Sequence, residues 1–192
     1  MLLPFLIQTN LYRYSNQPVM VKLAMIIALD GFRDEEYFEP KKVFHDAGFQ
    51  IVTAALSARA CKGSNGAKVV PDVIVGDLDE EELDAVVIVG GQGSPSLSES
   101  QSVLHLLSDT HDKGKVTAAI CYGGLSLARS GIVKGKAISA FKDSFSEPIF
   151  KQNNVSFAPE GVTVLKELMV VSASGPAYAK KFGEAIRDLL KE

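Results

Sequence analysis

The sequence predicts an α/β fold of three layers, with helices on both faces of a mainly parallel central sheet. Apolar runs of strand length alternate along the chain with segments of helical spacing. The runs are short and rich in β-branched residues, as strands buried on both faces are. One of them, AVVIV at residues 85–89, ends in Gly90 and Gly91, and another, VTAAI at 116–120, leads through Cys121 and Tyr122 to Gly123 and Gly124. Ligands gather at such strand ends in parallel sheets.

Taken in order, the apolar run VKLAMIIAL at 21–29 reads as the first strand and DGFRDEE at 30–36 as a loop. Residues 37–46 follow as a helix stopped by Gly48, and FQIVTAA at 49–55 as a second strand, which makes a βαβ unit. Gly63, Gly66 and Pro71 break residues 56–77 into short β-branched pieces, so small strands or a hairpin outside the main sheet are expected there. The charge run at 79–82 reads as a solvated helical turn. Val103, Leu104 and Leu107 place a helix over 98–111, closed by Gly114. After the helix that ends near Ser130, KGKAISAF can supply another strand, and 143–160 is polar enough to be a loop with at most one helical turn. VTVLKELMVVSAS suits a strand pair, and Pro176 starts a closing helix over 178–191.

At 192 residues the chain fits one domain, on a prior of about 150 residues per domain. A hydrophobic fraction of 46% beside 22% charged residues belongs to a globular protein. The net charge of -3 offers no general attraction to nucleic acid or anionic lipid, so neither is expected as a partner. Cys61 and Cys121 are the only cysteines, which excludes a disulfide framework or a zinc-type pair and points to a reducing, cytoplasmic setting. MLLPFLI is too short to span a bilayer and lacks a basic flank. Residues 1–19 differ in pattern from the rest, and Met20 stands directly before the first strand. They form an N-terminal extension that is either a translated upstream segment or an apolar arm for a subunit contact. The domain itself spans 20–192.

The chemistry converges on Cys121. It lies at a strand–turn–helix elbow, where the free N–H groups and positive dipole end of a helix favour thiolate over thiol. The alternative is a core thiol that packs as a small hydrophobe. Backbone N–H groups at Gly91 and Tyr122 could together hold an oxyanion, with Gly90 and Gly91 allowing close approach. Tyr122 either shields the thiol, donates a hydrogen bond or walls the pocket. Cys61 has no elbow around it and reads as a surface or packing cysteine.

AAICYGG, VVIVGG, GFRDEEYFEP and SGPAYAKKFGEAIRDLL together resemble the ThiJ/PfpI superfamily, which includes PfpI-type intracellular proteases and Parkinson-disease protein deglycases. The resemblance covers most of 21–190. It implies a flavodoxin-like sandwich, Cys121 as the nucleophile and, four residues before Pro40, Glu36 facing it. Two departures stand out. The proteases of the family carry histidine where this chain has Tyr122, and the deglycase branch carries it at the position of Ala140. His45, His105 and His111 all fall in expected helices, in exposed or capping roles. Without an imidazole to protonate a leaving amine, efficient peptide hydrolysis is not expected.

The resemblance therefore implies a cysteine enzyme acting on small reactive carbonyl compounds, glyoxalase-, deglycase- or hydrolase-like, through Cys121 and Glu36, with Glu36 as a protonated partner of the thiolate. It requires no metal and no cofactor. Alternatives are a redox sensor or stress-protective chaperone-like protein, and a peptidase lacking the usual histidine. Assembly as a homodimer or larger oligomer is expected from the relatives.

Overall fold

The structure, a computed structural model, describes residues 20–192. The expectation for the 1–19 extension lies outside the described residues. β1 (Lys22–Ile26) is followed by the short β2 (Asp30–Phe32) and by α1 (Asp34–Asp46). The helix thus begins three residues earlier than the sequence reading placed it. Asp34, Glu35 and Glu36 fill its first turn, where carboxylates complement the helix dipole, and do not lie in a loop. β3 (Gln50–Ala55) completes the first βαβ unit.

β4 (Cys61–Gly63) and β5 (Lys68–Val69) form the hairpin expected outside the main sheet, and β2 joins them in a three-stranded sheet. β6 (Val73–Ile74) instead returns to the main sheet beside β3. A turn at Glu80–Glu82 is solvated as expected, and Lys113 pairs with two of its carboxylates. β7 (Ala85–Ile88) leads to the short α2 (Pro95–Ser98) and to α3 (Gln101–Asp112). β8 (Val116–Ile120) is wholly buried. A single 3-10 turn at Cys121–Gly123 connects it to α4 (Gly124–Ser130).

The next stretch departs from expectation. β9 (Ala137–Ile138) does not enter the main sheet; it pairs with β10 (Ser156–Phe157) in a separate two-stranded ribbon. Between them lies α5 (Ser146–Gln152), a full seven-residue helix where a loop was expected. Buried Ile149 and Phe150 supply the apolar face that holds it, and Phe150 stacks on Phe157. β11 (Val162–Leu165), β12 (Val170–Ala173) and α6 (Ala179–Leu189) close the chain.

The central sheet has seven strands in the order β11-β12-β8-β7-β1-β3-β6. All neighbours are parallel except β11, which runs antiparallel to β12 at the edge. α1 and α6 pack together on one face, and α3 and α4 cover the other. Strands β1, β7 and β8 are almost wholly apolar because helices cover both of their sides. Each buried Leu, Ile, Val or Phe contributes about 1.5–3 kcal/mol of transfer free energy. Within the described residues no helix is long and apolar enough to cross a membrane.

Candidate active site

The ends of β1, β7 and β8 deliver the site. Cys121 follows the last residue of β8 and has φ of +57°, a left-handed conformation that costs a non-glycine residue strain and turns the side chain out of the sheet. Its carbonyl is held by the Phe141 N–H at 3.3 Å. From β7, Gly90 and Gly91 enter a tight turn braced by Ser94, whose hydroxyl donates to the Val89 carbonyl at 2.8 Å. Gly91 has φ of +114°, and a Cβ there would meet the Arg33 amide nitrogen at 2.5 Å, so both conformation and space demand glycine. The Arg33 N–H in turn donates to the Gly90 carbonyl at 2.9 Å and fixes the entry into α1 against this turn.

Glu36 projects from the first turn of α1 and is completely buried. A Cβ at Gly90 would collide with Glu36 Oε2 and would lie 2.6 Å from Cys121 Cβ, so the carboxyl and the cysteine face each other over this glycine. The structure thus brings Cys121, Glu36, Gly90, Gly91 and Tyr122 to one place. Cys121, Glu36, Gly91 and Tyr122 line a cleft of about 260 Å³, with Arg33, Ser64, Gln92, Phe141 and Pro176 as further walls.

Burial pushes the Glu36 carboxyl up to about 7, while a hydrogen bond from Cys121, the charge of Arg33 and the Gly90 N–H work in the opposite sense. Neither carboxyl oxygen has a partner of full hydrogen-bond geometry among the described residues, so these contacts are weak and desolvation dominates. Burial also pushes the Cys121 thiol up to about 12, helped by the Glu36 charge and opposed by the Tyr122 and Gly91 N–H groups. Burial thus works against the thiolate that the elbow was expected to favour. α4 has only seven residues and starts after a 3-10 turn, so the helix end opposes the burial of the sulfur only weakly. The carboxyl is the group held nearest to neutrality, and it faces the thiol.

The Tyr122 and Gly91 amides nevertheless both reach the sulfur. Tyr122 is committed elsewhere: its hydroxyl donates to Asp143 Oδ2, and its ring packs edge-on against Phe141 and Phe145 at 5.0 and 6.1 Å. It is a wall of the cleft, held in place. Burial and then Asp143 push its hydroxyl up to about 12. Against the upward pull of burial, hydrogen bonds from Tyr122, Ser146 and Phe145 hold Asp143 below its ordinary range.

His45, His105 and His111 do not line the cleft, and the position of Ala140 is filled by a nearly buried methyl group. Cys61 is buried in the small sheet and donates weakly to the Arg59 carbonyl at 3.7 Å. Glu35 is half-buried and pairs with the Arg33 guanidinium, its Oε2 lying 2.8 Å from Nε and its Oε1 accepting from Nη2 at 3.1 Å.

Sequence reasoning missed Arg33, Phe141 and Asp143. Arg33 carried a signal as the one cation within DGFRDEE. Asp143 carried another, since Asp three residues before Ser146 is a helix-start pattern, and its Oδ1 accepts the Ser146 N–H at 2.8 Å.

A sequence model described as the DJ-1/PfpI family matches residues 21–189. An uncharacterised protein of Methanocaldococcus jannaschii is 34% identical over 84% of this chain and 78% of its own. A glutathione-independent glyoxalase of Caenorhabditis elegans is 29% identical over 75% of each chain. The crystal structure of a ThiJ/PfpI domain protein from Brachyspira murdochii superposes with a TM-score of 0.83 at 28% identity, covering 90% of this chain and 98% of that one.

Proposed function

The chain belongs to the DJ-1/PfpI family, and from that premise we propose that it is a cysteine-dependent enzyme converting small 2-oxoaldehydes to 2-hydroxy acids. The observation that carries this reading is the buried Cys121–Glu36 pair, in which a carboxyl poised near neutral pH faces a thiol beneath two free backbone amides. The resemblance to a protein named as a glyoxalase supports the same chemistry.

In the proposed course Cys121 Sγ attacks the aldehyde carbon while Glu36 accepts the thiol proton and the Gly91 and Tyr122 amides hold the developing oxyanion. Protonation of that oxygen gives a hemithioacetal. Glu36 then takes the proton from the former aldehyde carbon and returns it to the neighbouring carbon, while the hydroxyl proton on the first carbon passes to the neighbouring ketone oxygen, which turns the hydroxyketone into a 2-hydroxy thioester. Water adds to the thioester, the carbon–sulfur bond breaks, and the 2-hydroxy acid and the free thiol are released. The sum is substrate plus water, with no external oxidant or reductant. One carboxyl can serve every proton transfer, so the scheme does not call on the imidazole that this cleft lacks.

Peptide hydrolysis has less support, because no imidazole lines the cleft to protonate a leaving amine. A peroxide sensor also has less support, since burial raises the thiol and oxidation follows thiolate character. The deciding experiment is methylglyoxal turnover by the purified protein, with lactate measured as product. Turnover that is lost in Cys121→Ser and in Glu36→Gln is expected. Absence of turnover, or turnover that persists in Cys121→Ser, would overturn the reading.

A further inference from the structure

Arg33 lines the same cleft as Cys121 and Glu36, yet the proton transfers above make no use of it. Its guanidinium is fixed along one edge only. Nε faces Glu35 Oε2 at 2.8 Å and Nη2 donates to Glu35 Oε1 at 3.1 Å, which spends one face of the fork. Among the described residues no acceptor takes the Nη1 hydrogens. Glu35 is itself fastened, since its Oε1 accepts Asn65 Nδ2 at 3.1 Å. The hairpin that carries Asn65 is clamped by Asp34, whose carboxylate accepts the Asn65 N–H at 2.9 Å and the Ala67 N–H at 3.0 Å.

The pair is partly exposed, at 38% and 36% of the two side chains, and its buried Nε and Oε2 make no hydrogen bond of full geometry, so it contributes little to stability. The elaborate support therefore does more for the orientation of the guanidinium than for the fold. Arg33 and the aromatic ring of Phe141 both line the cleft beside Cys121. A substrate bound at the sulfur thus meets both a cation and an aromatic ring in the walls around it.

We propose that Arg33 is a specificity residue that selects 2-oxoaldehydes carrying a carboxylate on the substituent. The inference rests on the reaction proposed above. A carboxylate suits the site better than a phosphate. It is planar and singly charged, so it matches the remaining guanidinium edge, whereas a dianion would meet the repulsion of Asp34, Glu35 and ionised Glu36 around one cation. The cleft of about 260 Å³ limits the substrate to a short chain.

The test compares 4,5-dioxopentanoate with 2-oxopentanal, which shares the reactive dicarbonyl and lacks the charge. A kcat/KM higher by at least about tenfold for the carboxylate is expected, falling as salt is added. In Arg33→Met the ratio should collapse toward one through KM, and Arg33→Lys should restore part of it. Equal kcat/KM in the unsubstituted protein, or an unchanged ratio in Arg33→Met, would overturn the inference while leaving the reaction intact. If neither aldehyde is turned over, the proposed reaction fails, and binding still decides the role of Arg33. 4-Oxopentanoate should then protect Cys121 from iodoacetamide better than 2-pentanone does, in the unsubstituted protein and not in Arg33→Met. Equal protection by the two ketones would overturn it.

Discussion

Glu36 and Cys121 meet over a glycine: the space between the carboxyl and the cysteine Cβ is too small for even a methyl group at Gly90. Gly90→Ala should therefore separate the pair. A Cβ there would also lie 2.6 Å from the Ile120 carbonyl oxygen, so the backbone must shift. Turnover should fall by at least about a hundredfold, because proton transfer needs hydrogen-bond reach, with about 1–3 kcal/mol of stability lost to overpacking. Kinetics and urea denaturation of the same sample check both. Wild-type turnover in Gly90→Ala would show that the pair is not the reacting centre.

Replacing Glu36 should move two properties of the site in opposite directions. The Glu36 charge is the second cause, after burial, of the raised Cys121 thiol. Glu36→Gln removes that charge, so alkylation of Cys121 by iodoacetamide at pH 8 should speed up severalfold, while dicarbonyl turnover should fall by at least about a hundredfold for want of a proton acceptor. Mass mapping distinguishes Cys121 from Cys61, whose thiol is fully buried and raised mainly by that burial. Slower alkylation in Glu36→Gln would mean that the carboxyl stabilises the thiolate.

The same carboxyl sets a slope in stability against pH. Its ordinary value is 4.5 and burial holds it at about 7 in the folded chain. Between these two values the native state binds the proton that the unfolded state has released. The contribution is present in full below about pH 4.5 and is lost as pH rises through 7, amounting to about 3 kcal/mol. Urea denaturation at half-unit steps from pH 5 to 8 should show stability declining with this sign in the parent protein, and a correspondingly flatter profile in Glu36→Gln. Parallel profiles would mean that Glu36 titrates alike in both states.

Tyr122 and Asp143 should prove unequal partners. Tyr122→Phe loses one hydrogen bond, about 1 kcal/mol, and keeps the ring in the wall of the cleft. Asp143→Ala loses the same bond and also leaves the Phe145 and Ser146 N–H groups at the start of α5 without their acceptor, so it should cost more, about 2 kcal/mol. A double-mutant cycle by thermal denaturation isolates the shared term. Equal costs for the two single substitutions would show that the capping bonds contribute nothing.

The elements that alternate at long spacing were legible in the sequence because their burial is periodic. β1, β3, β7, β8 and α3 fall where apolar runs and their glycine stops place them. Cys121, Glu36 and the glycine turn could be named because short motifs mark them. α5 was missed because only Ile149 and Phe150 face inward in a polar segment, too few to display a period. The start of α1 was read late because Asp34, Glu35 and Glu36 look like a solvated loop until the dipole that favours them is taken into account. The burial that opposes the helix end at Cys121 was not legible for a different reason. It depends on how dry the cleft is, a property of three strand ends and two loops together that no local pattern displays.

The groups around the sulfur at chain positions 33–36, 90–91 and 121–122 meet through the parallel neighbours β1, β7 and β8, and Phe141 reaches them from the loop after β9. Parallel pairing has no hairpin route. Each strand must wait for its crossover helix to fold back, and such distant closures are the slow part of assembling a chain. During refolding, helical circular dichroism should therefore return before the ability to turn over substrate does. A kinetic trace of activity would time the closing of the sheet's centre, since Glu36 and the glycine turn precede β8 in the chain and Cys121 follows it.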